Sequence, residues 1–262
     1  MADILLTNDD GVHSPGFLAL KKELNTFRSL LLIGPSEQRS WISKAVTRFE
    51  KVKVQKVKLE DGSDAFAIQG TPVDAIIIGL FVISEQFPKL VISGINTGAN
   101  AGNAFIFSSG TVGAAIEAAM VGIPSIAVSL VPPYLNYTFI EENFRIAAQL
   151  TKKFAQRILK YGLPSSVNLI NLNVPYNATM KTEIIITNIA KLHYGCILEK
   201  STKENEFVFT KKMDSTKGAK YNLQPGTDAY TIFIENKISI TPVNIDLTGN
   251  LHGFRQWLDI EI

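Results

Sequence analysis

The stretch that most constrains this chain is ILLTNDDGVHSPG at positions 4–16. Ile4, Leu5 and Leu6 form a short apolar run that meets Thr7, Asn8, Asp9, Asp10 and Gly11. An apolar run ending in polar residues and glycine reads as a buried strand opening into a turn. Apolar positions at Phe17, Leu18, Leu20 and Leu24 then follow at helical spacing. The unit is strand, loop, helix, and in open α/β sheets ligands bind beyond the carboxyl ends of such strands. Two adjacent carboxylates at that end repel each other unless a cation or hydrogen bonds offset the charge. An Asx-turn or helix cap is the ordinary use of these residues. A divalent-metal site is the chemical one.

The same order recurs. Leu30 to Ile33 form a second apolar run ending at Gly34 and Pro35. Consecutive strand–helix–strand units predict a parallel sheet with right-handed crossovers. The loop SEQRSWISK carries Ser36, Glu37, Arg39, Ser40, Ser43 and Lys44. Its hydroxyls and cations suit an anion, or an ordinary polar loop. Trp41 reads as a packing anchor. Over 45–60, Val52, Val54, Val57 and Leu59 alternate with lysines. That period of two gives strands with one wet face, and lysines there discourage stray edge pairing. Thr71 and Pro72 after the strand at 65–68 read as a helix cap and first helical residue. Asp74 suits the helix dipole and needs no catalytic role.

The second focus begins after the apolar run Leu90, Val91, Ile92. It reads SGINTGANAGNAFIFSSGTVGAAIEAAMVG. Glycines there permit close backbone approach, and freed N–H groups can form an anion nest. Asn96 can lend a hard cation a neutral oxygen. Ser109, Gly110 and Thr111 open an Ala-rich helix, either as a cap or as a phosphate cradle. Further strands are expected over 125–130 and 169–174, with Asn171 and Asn173 bonding to neighbouring loops. A long amphipathic helix is expected over 140–161. Residues 184–212 read as strands with an exposed hairpin, 213–228 as a polar loop, 238–242 as a strand, and the tail to Ile262 as irregular. His13, His193 and His252 have no metal-type spacing. Asp228 and Asp246 read as strand-end carboxylates.

Composition narrows the class. With 262 residues, 46% hydrophobic, the chain can bury one large core. At 19% charged residues, long disordered stretches are excluded. A net charge of +2 gives no argument for nucleic acid or membrane. The single Cys196 excludes an intrachain disulfide framework and a cysteine-rich zinc site. No secretory leader or membrane span is read, so a soluble cytoplasmic protein is expected.

Taken together, TNDDG at 7–11, GPSEQRS at 34–40, GTPVD at 70–74, SGINTGAN at 93–100, SGTV at 109–112 and ISITP at 238–242 resemble the SurE family of survival-protein nucleotidases. Their order and spacing cover nearly the whole chain. The resemblance implies an α/β, Rossmann-like core with a mainly parallel sheet flanked by helices. It also implies a C-terminal β-hairpin arm used in homo-dimers or homo-tetramers. The catalytic core would span 1–183, and the arm and tail 184–262, with the strand near 238–242 returning to the core. The implied activity is metal-dependent removal of phosphate from nucleoside 5′- or 3′-monophosphates. Short polyphosphate hydrolysis, or a scaffold or sensor with weakened turnover, is the alternative. One divalent ion per subunit, Mg²⁺ or Mn²⁺, would be held by Asp9, Asp10, Ser40 and Asn96. Asn8 would contact phosphate or the water on the ion. Asn96, Ser109, Gly110 and Thr111 would bind phosphate, with Asp9, Asn8, Ser109 and Thr111 in catalytic roles. Neither a membrane nor a stable nucleic-acid partner is expected. The family has an Asp-bearing segment before SGT. Here the segment at 103–108 is one residue longer and has no Asp; its Phe105 and Phe107 either line a base-binding wall or pack the changed loop.

Overall fold

Every residue of the first strand, β1 (Ile4–Thr7), is buried, as a strand covered on both faces requires. The structure is a computed structural model that describes residues 2–133, 137–193, 198–203, 205–209 and 223–258. After β1 come α1 (Pro15–Leu24), β2 (Leu30–Pro35), β3 (Val54–Lys58), β4 (Asp64–Ile68), α2 (Pro72–Ile78) and β5 (Leu90–Thr97). Then follow α3 (Asn103–Ser108), α4 (Gly110–Met120), β6 (Ser125–Val131), α5 (Arg145–Tyr161) and β7 (Leu169–Pro175). The remaining elements are β8 (Ile184–Ile186), β9 (Leu198–Lys200), β10 (Phe207–Phe209), α6 (Asp228–Phe233), β11 (Ile238–Val243) and α7 (Leu251–Leu258).

Nine strands form one mixed, mainly parallel sheet in the order β3-β4-β2-β1-β5-β6-β7-β11-β8. From β2 through β7 the neighbours run parallel. Antiparallel pairing is confined to β3 on β4 and β11 on β7. The separate β9–β10 hairpin is the small C-terminal antiparallel element. The alternating side chains of β1 divide the core. Ile4 and Leu6 pack with Phe17 and Leu20 of α1 and Ala147 and Ala148 of α5. Leu5 faces the other way, with Ile76 of α2 and Ala114 and Ala118 of α4. From β1 the chain builds outward through β2 on one side and later resumes with β5 on the other, so the strand order reverses at β1. Its carboxyl end is therefore the crevice where this class of sheet takes ligands.

Local chemistry explains most boundaries. Thr71 Oγ1 accepts from the Asp74 N–H at 3.0 Å, and Asp74 Oδ2 accepts from the Thr71 N–H at 2.8 Å. This reciprocal cap starts α2. Asp74 also accepts from the Thr47 N–H and hydroxyl, which ties the preceding loop to the helix. On edge strand β3, Lys56 and Lys58 pair with Asp64 of β4; Val52, expected in that strand, lies before it.

Several sequence expectations change. Residues 103–108 form α3, because Asn103 Oδ1 accepts from the Ala104 and Leu192 N–H groups and Ile106 is buried. The helix expected from 140 begins at Arg145, after a 3₁₀ turn at Glu141–Phe144. The tail contains α7, started by Asn250, whose Oδ1 accepts from the Gly253 N–H at 3.0 Å. Asp228 starts α6 rather than ending a strand. Of the expected polar loop, 213–222 lie outside the described residues, as do 210–212, Cys196 and the tail end at 259–262. Among the described residues, no helix is long and apolar enough to cross a membrane.

Candidate active site

The turn after β1 is braced from within. Asn8 Nδ2 donates to the Gly11 carbonyl at 2.9 Å and to Ser14 Oγ at 2.7 Å. Gly11 takes φ +98°, a conformation that costs glycine little. The brace turns Asp9 toward the start of α4. Its Oδ1 accepts from the Thr111 hydroxyl at 2.6 Å and its Oδ2 from the Thr111 N–H at 3.2 Å. A Cβ on Gly110 would stand 3.0 Å from the Asp9 Cβ and 3.1 Å from Oδ2, so glycine lets the carboxylate reach the helix. Ser109 caps α4, its Oγ accepting from the Val112 N–H at 3.1 Å.

Asp10 points along the sheet edge. Its oxygens accept from Gln38 Nε2 at 3.1 Å and from the Thr97 N–H at 2.9 Å, which joins the ends of β1, β2 and β5. Burial, then the neighbouring Asp10 charge, pushes the Asp9 carboxyl up to about 7. Burial also raises Asp10, against the hydrogen bonds from Thr97 and Gln38. Asn96 Nδ2 donates to the Gly98 carbonyl at 2.9 Å, and its Oδ1 remains for a cation. Asp9, Ser40, Asn96 and Ser109 all line one cavity of about 270 Å³, with Trp41 and Phe105 at its wall.

Other expected residues fall elsewhere. Asn8 is fully buried and outside that lining; both its amide hydrogens serve the turn, and its Oδ1 has no hydrogen-bond partner. In the structure Asn8 braces the turn through its amide hydrogens. Thr111 is fully buried with its N–H and hydroxyl both spent on Asp9. In this arrangement it positions the Asp9 carboxylate. Trp41, read as a packing anchor, packs against Phe105 and is 54% exposed.

The loop at 98–103 is supported from behind. Asn173 Oδ1 accepts from the Asn100 N–H at 2.8 Å, and the side chains of Asn171 and Asn173 donate to the Asn100 carbonyl. Buried Asp228 accepts from the N–H groups of Gly102, Ala190 and Ala229 at 2.7–2.8 Å. Burial raises the Asp228 carboxyl, against those three bonds. Pairing of the asparagines with nearby loops was legible; the reach of Asp228 to residues 102 and 190 has no local sequence signal.

The donor set tests itself for a metal. Among the described residues no group of three or more His, Cys, Asp and Glu side chains converges. What converges is acidic and neutral oxygen, the ligand type of Mg²⁺ and Mn²⁺ more than of Zn²⁺. A buried carboxylate whose charged form is disfavoured is also what a cation would relieve. The residues fit a hard divalent ion.

The sequence profile of the family described as Survival protein SurE matches residues 4–196. The chain belongs to the SurE family. A protein described as 5′-nucleotidase SurE from Methanothrix thermoacetophila is 35% identical, over 99% of this chain and 98% of its own. Another so described, from Methanothermobacter thermautotrophicus, is 44% identical over 75% of this chain and 76% of its own. The crystal structure of the SurE protein from Aquifex aeolicus superposes with a TM-score of 0.76 at 28% identity, covering 98% of this chain and 99% of that one. The mixed sheet, flanking helices and small hairpin are thus the SurE fold. At family level the chain is a SurE-type phosphohydrolase acting on phosphomonoesters.

Proposed function

We propose that this chain removes phosphate from nucleoside 5′- or 3′-monophosphates with one Mg²⁺ or Mn²⁺ per subunit. The observation that carries the reading is the buried Asp9 carboxylate, held by Thr111 on a cavity whose other walls offer Ser40, Asn96 and Ser109. Asp9, Asp10, Ser40 and Asn96 would hold the ion. When bound, it supplies Lewis-acid polarisation of a phosphoryl oxygen and neutralises charge. Asp9, kept in place by Thr111, takes the proton of the water that attacks phosphorus. Its position against α4 puts that carboxylate beside the helix start. The Ser109 hydroxyl hydrogen and the Gly110 N–H are the donors there for the oxygen charge that develops. Asn96 lines the same cavity, with its Nδ2 on the Gly98 carbonyl and its Oδ1 kept for the ion. The relatives named 5′-nucleotidase SurE support the substrate class.

The test is phosphate release from a panel of nucleoside monophosphates and tripolyphosphate. Release is expected from the nucleotides with Mg²⁺ or Mn²⁺ and is lost with EDTA. Release undiminished by EDTA, or confined to tripolyphosphate, overturns the reading.

The assembly expectation also rests on surface chemistry. No residue of α7 is buried, and its Leu251, Phe254 and Trp257 are exposed. Leu198, Phe207 and Val208 of the hairpin are exposed as well. Apolar surface on a projecting arm favours self-association. Light scattering at low micromolar concentration should give at least twice 28.8 kDa; a persistent monomer defeats the dimer or tetramer and leaves the chemistry untouched.

A further inference from the structure

A second, larger cavity of about 420 Å³ adjoins the first, and Trp41 and Ser108 line both. Its wall adds Ser43, Asn103, Phe107 and His193. Trp41 and Ser108 therefore border both the space beside Asp9 and Ser109 and the next open space. Trp41 is 54% exposed and Phe107 61%, so folding leaves two large apolar surfaces in water at one mouth. Trp41 also has φ +59°, a backbone conformation that bulky L residues rarely adopt. Such outliers collect at ligand-binding positions.

The two aromatics belong to one rigid unit. Ser43 Oγ donates to the Phe107 carbonyl at 2.5 Å, and the Ser43 N–H donates to the Ser108 carbonyl at 2.9 Å. These bonds lock the Trp41 loop to α3. Phe105 meets Trp41 edge to face, centroids 6.0 Å apart at 64°, which fixes the indole's orientation. Asn103 and His193 put polar atoms on the same wall.

The geometry points to Trp41 and Phe107 as the surface that receives the planar base of the substrate, a deepening that rests on the nucleotidase reading. Stacking on an aromatic face tolerates any base and grows with ring area, so purine nucleotides bind more tightly than pyrimidine ones. Of the two uses the sequence allows for Phe105 and Phe107, Phe105 packs and Phe107 recognises.

The chain has two tryptophans, Trp41 and Trp257. In Trp257→Phe, Trp41 is the only one. Adenosine, with Mg²⁺ present, should quench its emission saturably; ribose 5-phosphate should not. Trp41→Ala should raise KM for AMP roughly tenfold, the order of one lost base stack, with kcat unchanged because the lost interaction is uniform binding. KM for ribose 5-phosphate should stay within about twofold, and Trp41→Phe should recover most of the AMP affinity, since a smaller ring still stacks. Unchanged emission with adenosine overturns the base site. So does an equal rise in KM for AMP and ribose 5-phosphate, which would place the lost contact on the sugar phosphate that both esters share. If the parent hydrolyses neither ester, the nucleotidase reading fails, and the emission titration still decides the base site.

Discussion

Asp9→Asn is expected to lower phosphate release by roughly 10²-fold or more, the range for losing a general base or its electrostatic equivalent. Metal-free stability should be unchanged or slightly raised. The amide is isosteric, and Thr111 can bond it through reversed hydroxyl donation, while burial of a charge beside Asp10 is removed. The pH dependence separates this from a general packing defect. With Asp9 pushed up to about 7, the folded state holds a proton that the unfolded chain releases near 4. The metal-free parent therefore loses stability contributed by Asp9 as pH rises from about 4 to about 7. Melting in EDTA across that range should show the parent falling relative to Asp9→Asn. Calorimetric titration should show weakened Mg²⁺ binding in the variant. Thr71→Ala is the control: a lost cap costs about 1 kcal/mol and spares turnover per folded molecule. Parallel melting curves with parental turnover in Asp9→Asn would reduce the acidic turn to a cap.

Asp228→Ala is expected to destabilise the fold strongly. Three buried backbone N–H groups converge on this carboxylate. Each one left unpaired costs about 1–3 kcal/mol, so a total loss of at least about 3 kcal/mol follows. For a chain of this length that lowers Tm by roughly 10 °C or more. Turnover should fall too, because Gly102 ends the loop that begins beside Asn96 and is clamped at Asn100. Asp228→Asn should lie between, since an amide offers one acceptor oxygen where the carboxylate uses two. A Tm within about 2 °C of the parent, well under the loss from one orphaned donor, would show that these bonds do not hold the loop.

How far the sequence carries can be judged at these residues. The buried strands were legible because their apolar runs stop at Gly, Pro or Asx residues. Parallel order then sends Asp9, Ser40 and Asn96 to one end of the sheet, and they do line one cavity. Hydrogen-bond direction was not legible. Nothing in the order of residues says that Thr111 spends both donors on Asp9, or that Asn8 faces its own turn. Helix α3 escaped because six residues give too little period to read. Helix α7 did carry a signal: Asn250 as cap, then Leu251, Phe254, Trp257 and Leu258 on one side, interrupted by Gly253. Asp228 was beyond reach, since its partners lie 126 and 38 residues away.

The antiparallel seat of β11 bears on how the protein is made. Ser239 to Val243 pair with Asn173 to Leu169, and among the described residues β8 hydrogen-bonds to the sheet only through β11. A ribosome delivers β7 long before it delivers β11. Until then the growing chain carries an open strand edge beside a homeless Ile184–Ile186, the combination that invites aggregation. Chains released before residue 243 keep that edge for good. Closure of the sheet beside β7 thus waits on residues 239–243, and so does the seat of β8.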